Sequence, residues 1–207
     1  MTIIQRSDEW FQARLGKVTA SRVADVIART STGWGASRAN YQSELIIERL
    51  TNKPQESYIN GPMQWGLDHE EEALIAYAFW KNAGVTAVGF VPHPTIAMSG
   101  ASPDALVDED GLVELKCPNS STHLETLLGK SIPDKYLVQM QWQMACTGRQ
   151  WADFVSYDPR MPEPMQLFMQ RVMRDDGRIK KLEELVVDFL VELDKKLARL
   201  RELYIEH

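Results

Sequence analysis

Ser102-Pro103-Asp104, followed at a short distance by Gly111-Leu112-Val113-Glu114-Leu115-Lys116-Cys117-Pro118, is the stretch whose reading decides the fold. Between its two parts, Asp108-Glu109-Asp110-Gly111 is a turn signal, so the stretch reads as two short strands joined in a hairpin. Residues two apart in a strand project to the same face. Glu114 and Lys116 therefore point together while Leu115 turns into a core, and Asp104 enters from the end of the preceding strand. Two carboxylates and one ammonium converge. Oxygen donors of this kind suit a hard cation such as Mg²⁺, which takes one or two carboxylates and keeps several waters. Water acidified by such a cation, with a lysine beside it, is a nucleophile suited to a phosphodiester. The bare spacing also fits a surface hairpin with acidic turn residues and an exposed lysine, so the elements around it have to decide.

Working outward, the chain has 207 residues, 44% of them hydrophobic, enough for one globular domain spanning 1–207 with a substantial core. A net charge of −6 gives no overall basic signature, so DNA binding would need a local patch or a lined channel. Cys117 and Cys146 form neither a CxxC pair nor a disulfide framework, which points to a reducing cytoplasm and argues against zinc. There is no apolar run of transmembrane length, and Met1–Ser7 lacks the apolar centre of a signal peptide.

Upstream, Ser7 or Asp8 caps a short helix to Leu15 with Trp10, Phe11 and Leu15 as its apolar side, stopped by Gly16. Thr19 or Ser21 caps a second helix running to Ile27. Arg14 and Ser21 thus fall near a helix start, where free N–H groups favour anions; an ordinary capped helix with an exposed arginine reads the same way. Residues 30–37 are loop-like between Arg29 and Arg38, either a nucleic-acid contact or a connector. Asn40–Leu50 is an amphipathic helix with Leu45, Ile46 and Leu50 inward. Gly61-Pro62 opens a helix to Asn82, stopped by Gly84, with Trp65, Ala73, Leu74, Tyr77 and Phe79 on its inner face. Glu70 lies one turn from both Gly66 and Leu74, beside that face and in position to join the acidic site, although an acidic run is usually a solvated face.

Val85–Val91 and Ile96–Ala101 read as strands. Downstream, Asn119–Thr122 caps a helix closed by Gly129. Pro133-Asp134 opens another, closed by Gly148, on which Tyr136, Gln139, Met140 and Gln143 share one face. Tyr136 and Gln139 could line a polar cleft or simply sit at a core margin. Trp151–Tyr157 and Met165–Met173 are two strands across a proline-rich turn, and a long helix follows from Asp175 to about Tyr204 with an apolar stripe from Ile179. The sum is an α/β sandwich built on one central mixed β-sheet flanked by helices.

The order of these pieces resembles the family of phage lambda exonuclease and YqaJ-type viral recombinases, within the PD-(D/E)xK nucleases of restriction-endonuclease-like fold. The likeness runs through Trp10, Arg14-Leu15-Gly16, Thr19-Ala20-Ser21, Trp65-Gly66, Glu70, Ser102-Pro103-Asp104, Glu114–Pro118, Tyr136–Gln141 and Tyr157–Met161. It implies an exonuclease that digests one strand of linear duplex DNA from a 5′-phosphorylated end to mononucleotides, leaving a 3′ overhang for recombination by strand annealing. Two Mg²⁺ ions are implied, with Mn²⁺ able to substitute. Asp104, Glu114 and the Leu115 carbonyl would hold metal, with Glu70 serving a second ion. Lys116 would orient or activate water, and Gln139 would stand beside the reacting centre. Arg14, Ser21 and Ser102 would hold the 5′ phosphate, and Met63, Tyr136 and Trp10 would contact DNA. A ring trimer, a phage-type single-strand annealing partner and a bacterial cytoplasmic setting are implied as well. The competing readings are a PD-(D/E)xK endonuclease of restriction or repair, and a catalytically silent DNA-binding protein on the same fold.

Overall fold

Ser7 caps α1 (Asp8–Arg14) by accepting from the Trp10 amide. The computed structural model describes residues 4–55 and 60–205, so the first three residues of the opening stretch lie outside it. After α1 come β1 (Val18–Thr19), a 3₁₀ turn at Ala20–Arg22 and a short α2 (Val23–Val26). Next are a small hairpin of β2 (Arg29–Thr30) and β3 (Gly33–Trp34), then α3 (Ala36–Thr51) and α4 (Gly61–Lys81). The middle of the chain supplies β4 (Val85–Thr86), β5 (Val91–Pro92), β6 (Ser99–Ala101), β7 (Ala105–Val107) and β8 (Gly111–Lys116). Two helices, α5 (Ser120–Gly129) and α6 (Asp134–Thr147), connect β8 to β9 (Trp151–Tyr157). β10 (Leu167–Met173) and α7 (Asp176–Tyr204) complete it.

The central sheet has the order β10-β9-β8-β7-β4 and is mixed: β8 runs parallel to β9, and the other pairs are antiparallel. The parallel pair needs a long crossover, which α5 and α6 provide. Strand alternation explains the layers. Val113 and Leu115 of β8 pack with Ala73 and Tyr77 of α4 on one face. Leu112 packs with Met140 and Met144 of α6 on the other. A third cluster joins α2, α3, α6 and α7 around the fully buried Trp142 and Phe189. The α7 stripe Ile179, Leu182, Val186, Phe189, Leu193 and Leu197 is buried there, whereas Tyr204 is exposed.

Several expectations are corrected. A three-stranded sheet β1-β6-β5 and the β2–β3 hairpin accompany the central sheet, so the fold is not built on a single sheet. The Val85–Val91 run divides between two sheets, because β4 pairs with β7 and β5 with β6. The helix expected up to Ile27 is a 3₁₀ turn followed by a single α turn, and neither Thr19 nor Ser21 caps it through a side chain. No residue of α1 is buried, and Phe11, Leu50 and Phe79 are exposed rather than inward. The left-handed closing residues after α4 and α5 are Asn82 and Lys130, not Gly84 and Gly129. Arg38 is buried and paired with Glu192 of α7, with its guanidinium over the Trp34 ring of β3 at 4.2 Å, so it packs the hairpin against the fold and is not exposed at its edge.

Candidate active site

The β7–β8 hairpin forms as the sequence predicts, with Ala105 opposite Val113 and Val107 opposite Gly111. Asp104 stands at the entrance of β7, and its carboxylate accepts the Leu115 amide at 2.5 Å, which ties the two strands together at the site. Glu114 is 1% exposed. One of its oxygens accepts from Gln139 at 2.7 Å and from the Lys116 ammonium, and the other accepts from Gln143 at 2.5 Å. Gln139 and Gln143 are one turn apart on α6, so the face that carries both amides closes over the carboxylate. Lys116 also lies 5.0 Å from the centre of the Tyr136 ring, which itself stacks on Phe154.

The charges are crowded. Burial, then Glu114, push the Asp104 carboxyl well above the usual carboxylate range, and Glu70 adds to this against the opposing Lys116. Burial works against the Lys116 ammonium, but Glu114 and Asp104 outweigh it and hold its pKa above the ordinary lysine value. Lys116 is therefore an ammonium at neutral pH, a donor and positive charge rather than a base.

Glu70 reaches the same rim from the other side of the sheet. Asp104, Leu115 and Glu70 line one cavity of about 640 Å³. Glu114 and Lys116, on the α6 side, do not line it. This division across the sheet explains why no three His, Cys, Asp or Glu side chains among the described residues are gathered closely enough to hold a metal. Asp104, with Glu114 and Glu70 on either side near enough to act on its charge, offers carboxylate oxygens, and that donor chemistry fits a hard divalent cation.

A second cavity, about 170 Å³, opens between α1, the 3₁₀ turn and α3, lined by Arg14, Lys17, Ser21 and Arg22 among others. Gly16, at φ +67, turns the chain there, and its amide and carbonyl are held by Glu48 and Arg49 of α3. Arg14 lies on the Trp10 ring at 3.9 Å, and both donate to Ser102, at 3.4 Å from Arg14 and 2.9 Å from the Trp10 indole. Burial pushes the Arg14 pKa down to about 10, so it remains a cation. No carboxylate among the described residues forms an ion pair with it. Ser21 is exposed, with its hydroxyl 3.5 Å from that of Thr19. Ser102 stands two residues before Asp104, which makes this pocket a neighbour of the acidic site.

A profile of the YqaJ-like viral recombinase domain matches residues 9–150, a span that holds Arg14, Glu70, Asp104, Glu114, Lys116 and Gln139. The chain belongs to that family. No curated protein matches it. Among solved structures, it is similar to LHK-Exo, an alkaline exonuclease from Laribacter hongkongensis, at 50% identity, covering 95% of this chain and 97% of that one, with a TM-score of 0.89. The structure of LHK-Exo in complex with dAMP gives the same identity and coverage at 0.90. A phage-related exonuclease from Haemophilus somnus, at 16% identity and TM-score 0.73 over 89% of this chain and 96% of that one, shares the fold. That fold is the restriction-endonuclease-like one.

Two features of this chain gained their meaning only in three dimensions. Trp65, on the first turns of α4, is sandwiched between His69 at 3.6 Å and the Arg160 guanidinium at 3.9 Å. Asp158 grips Arg160 from two oxygens, so the motif Tyr157–Met161 acts as a brace on α4. Gln143 is the second. Sequence reasoning placed it on the Gln139 face but gave it no role, and the missing signal was Glu114 beneath that face. Gln143→Leu removes a buried donor to a charged acceptor and should lower unfolding free energy by about 1.5–3 kcal/mol, read from denaturant midpoints. A loss below about 0.5 kcal/mol would mean that Glu114 does not depend on it.

Proposed function

We propose that this chain is a Mg²⁺-dependent exonuclease that digests one strand of linear duplex DNA from a phosphorylated 5′ end and releases mononucleotides. The observation that carries the reading is the adjacency of two complementary pockets. An acidic site with a lysine at Asp104, Glu114 and Lys116 borders a half-buried arginine, Arg14, that forms no ion pair among the described residues, and Ser102 links the two. The structure of LHK-Exo in complex with dAMP, a deoxymononucleotide, supports the product class.

Asp104, Glu114 and the Leu115 carbonyl would hold the cation, and Glu70 would serve a second. Such an ion supplies neutralisation of phosphate charge and acidifies water. Gln139 and Gln143 fix the Glu114 carboxylate, and Lys116 orients the attacking water and offsets negative charge developing on the phosphate. Arg14, with Ser21 and Ser102, receives the terminal phosphate. Its guanidinium suits phosphate oxygens, and Trp10 supports it from below with its own indole N–H committed to Ser102. Met63, half-exposed on the first turn of α4, and Tyr136 beside Lys116 are the proposed DNA contacts. Apolar Ile75, Phe79 and Trp80, exposed on the outer side of α4, support assembly into the ring trimer that would thread DNA, in which only the channel lining need be positive against a net charge of −6 per chain. The 3′ tail would be handed to a single-strand annealing protein.

The test is digestion of one linear duplex labelled at either end, with and without a 5′ phosphate, in Mg²⁺ and in EDTA. Mg²⁺-dependent loss of 5′ label as mononucleotide, faster with the phosphate, is the expected result. Internal fragments would instead establish an endonuclease, and an untouched substrate a binding protein. In the same assay, Arg14→Ala should erase the advantage of phosphorylated ends, a loss of about ten- to a hundredfold. If the variant still prefers phosphorylated ends, Arg14 is not the phosphate anchor.

A further inference from the structure

The chain brings a cation of its own to the acidic cavity. Residues 4–7 form a turn in which the Ser7 amide donates to the Ile4 carbonyl at 3.2 Å, and Ser7 then caps α1. The Gln5 side-chain amide donates to two carbonyls, Val88 at 2.8 Å and Pro103 at 2.7 Å. Pro103 directly precedes Asp104. Arg6 is therefore fixed through both neighbours, and it adopts φ 68, a left-handed conformation that non-glycine residues take up at a cost. From there its guanidinium pairs with Glu70. Among the charged residues lining this cavity, Asp68, Glu70, Glu71 and Asp104 are carboxylates, and Arg6 is the cation.

We propose that Arg6 is a displaceable counter-ion for Glu70, a positioning residue with which a divalent cation must compete for the carboxylate. The proposal rests on the reading of Glu70 as a ligand of the second ion. The pair is suited to exchange because the Arg6 and Glu70 side chains are 47% and 29% exposed, and an ion pair so accessible to water is held weakly. A guanidinium and a divalent ion cannot share the carboxylate without mutual repulsion, so each weakens the other's hold. Once released, the guanidinium stays tethered at the cavity by Gln5, where its planar donors fit a phosphate oxygen pair. A DNA phosphate that takes Arg6 would by the same linkage tighten the cation at Glu70, so that the site fills fully only with substrate present.

The test is a calorimetric Mn²⁺ titration of the intact protein without DNA, compared with Arg6→Gln, Arg6→Gly, Glu70→Gln and the double variant Arg6→Gln/Glu70→Gln. Arg6→Gly restores the residue that tolerates φ 68, which guards against a folding defect. Both Arg6 variants should bind Mn²⁺ about fivefold more tightly at the weaker site. Glu70→Gln should lose that site, and the double variant should match Glu70→Gln. Unchanged or weaker Mn²⁺ binding by both Arg6 variants, with Glu70→Gln still losing the site, would overturn the role of Arg6 alone. Wild-type Mn²⁺ binding by Glu70→Gln would overturn the metal role of Glu70, and the competition with it.

Discussion

Asp104→Asn should lose about 10²–10³-fold or more of its cleavage rate in Mg²⁺ while binding linear duplex as before, and its melting temperature should not fall. Two observations combine to this result. The asparagine oxygen can still accept the Leu115 amide, so the tie across the hairpin survives. The substitution removes a charge from a place where burial, Glu114 and Glu70 all disfavour it. Activity and stability are thus expected to move in opposite directions, the signature of a group kept for chemistry against the interest of the fold. Thermal melting beside a single-turnover nuclease assay reads both. Normal turnover would remove Asp104 from the reaction, and a marked loss of stability would mean that its charge is structural.

The parts of this fold legible in the sequence are those set by local chemistry. The β7–β8 hairpin followed from the turn signal and alternation, α6 and α7 from their apolar periodicity and caps, and Gly148 from its place after the last apolar turn. What periodicity could not convey was partnership. Val85–Val91 looks continuous, yet its halves pair with β7 and β6, and the Gln5 side chain takes the Val88 carbonyl that lies between them. Phe79 has the composition of a core residue, but on α4 the face toward the sheet is defined by Ala73 and Tyr77, and Phe79 falls outside it. The site shows the same division. Asp104, Glu114 and Lys116 were readable because one hairpin carries all three. Gln143 and Arg6 were not, because each acts on a residue far away in the chain, 29 and 64 positions respectively. The spatial arrangement also separates what the spacing merges: Glu70 approaches over the α4 face while Glu114 lies under α6, and Asp104 at the rim feels both.

Lys116→Met should lower turnover by about 10²–10³-fold and leave the Michaelis constant for duplex nearly unchanged. Lys116 is 28% exposed on its side chain, so it can meet a substrate, and it is anchored by Glu114 rather than free to sweep the surface. Glu114 and Asp104 keep it charged, so it serves as a fixed donor and positive charge. A charge held in place before substrate arrives needs no reorganisation when negative charge builds on the phosphate, and its effect falls on the transition state more than on binding. Methionine keeps the length of the stem beside the Tyr136 ring and removes only the ammonium. Glu114 would keep its two glutamine donors, so the variant should fold. Lys116→Arg restores charge but spreads it over a planar fork where the site holds a point charge, and should recover only part of the rate. If Lys116→Met instead raised the Michaelis constant with turnover intact, the lysine would be a phosphate anchor. The attacking water would then depend on Asp104 and Glu114 without it.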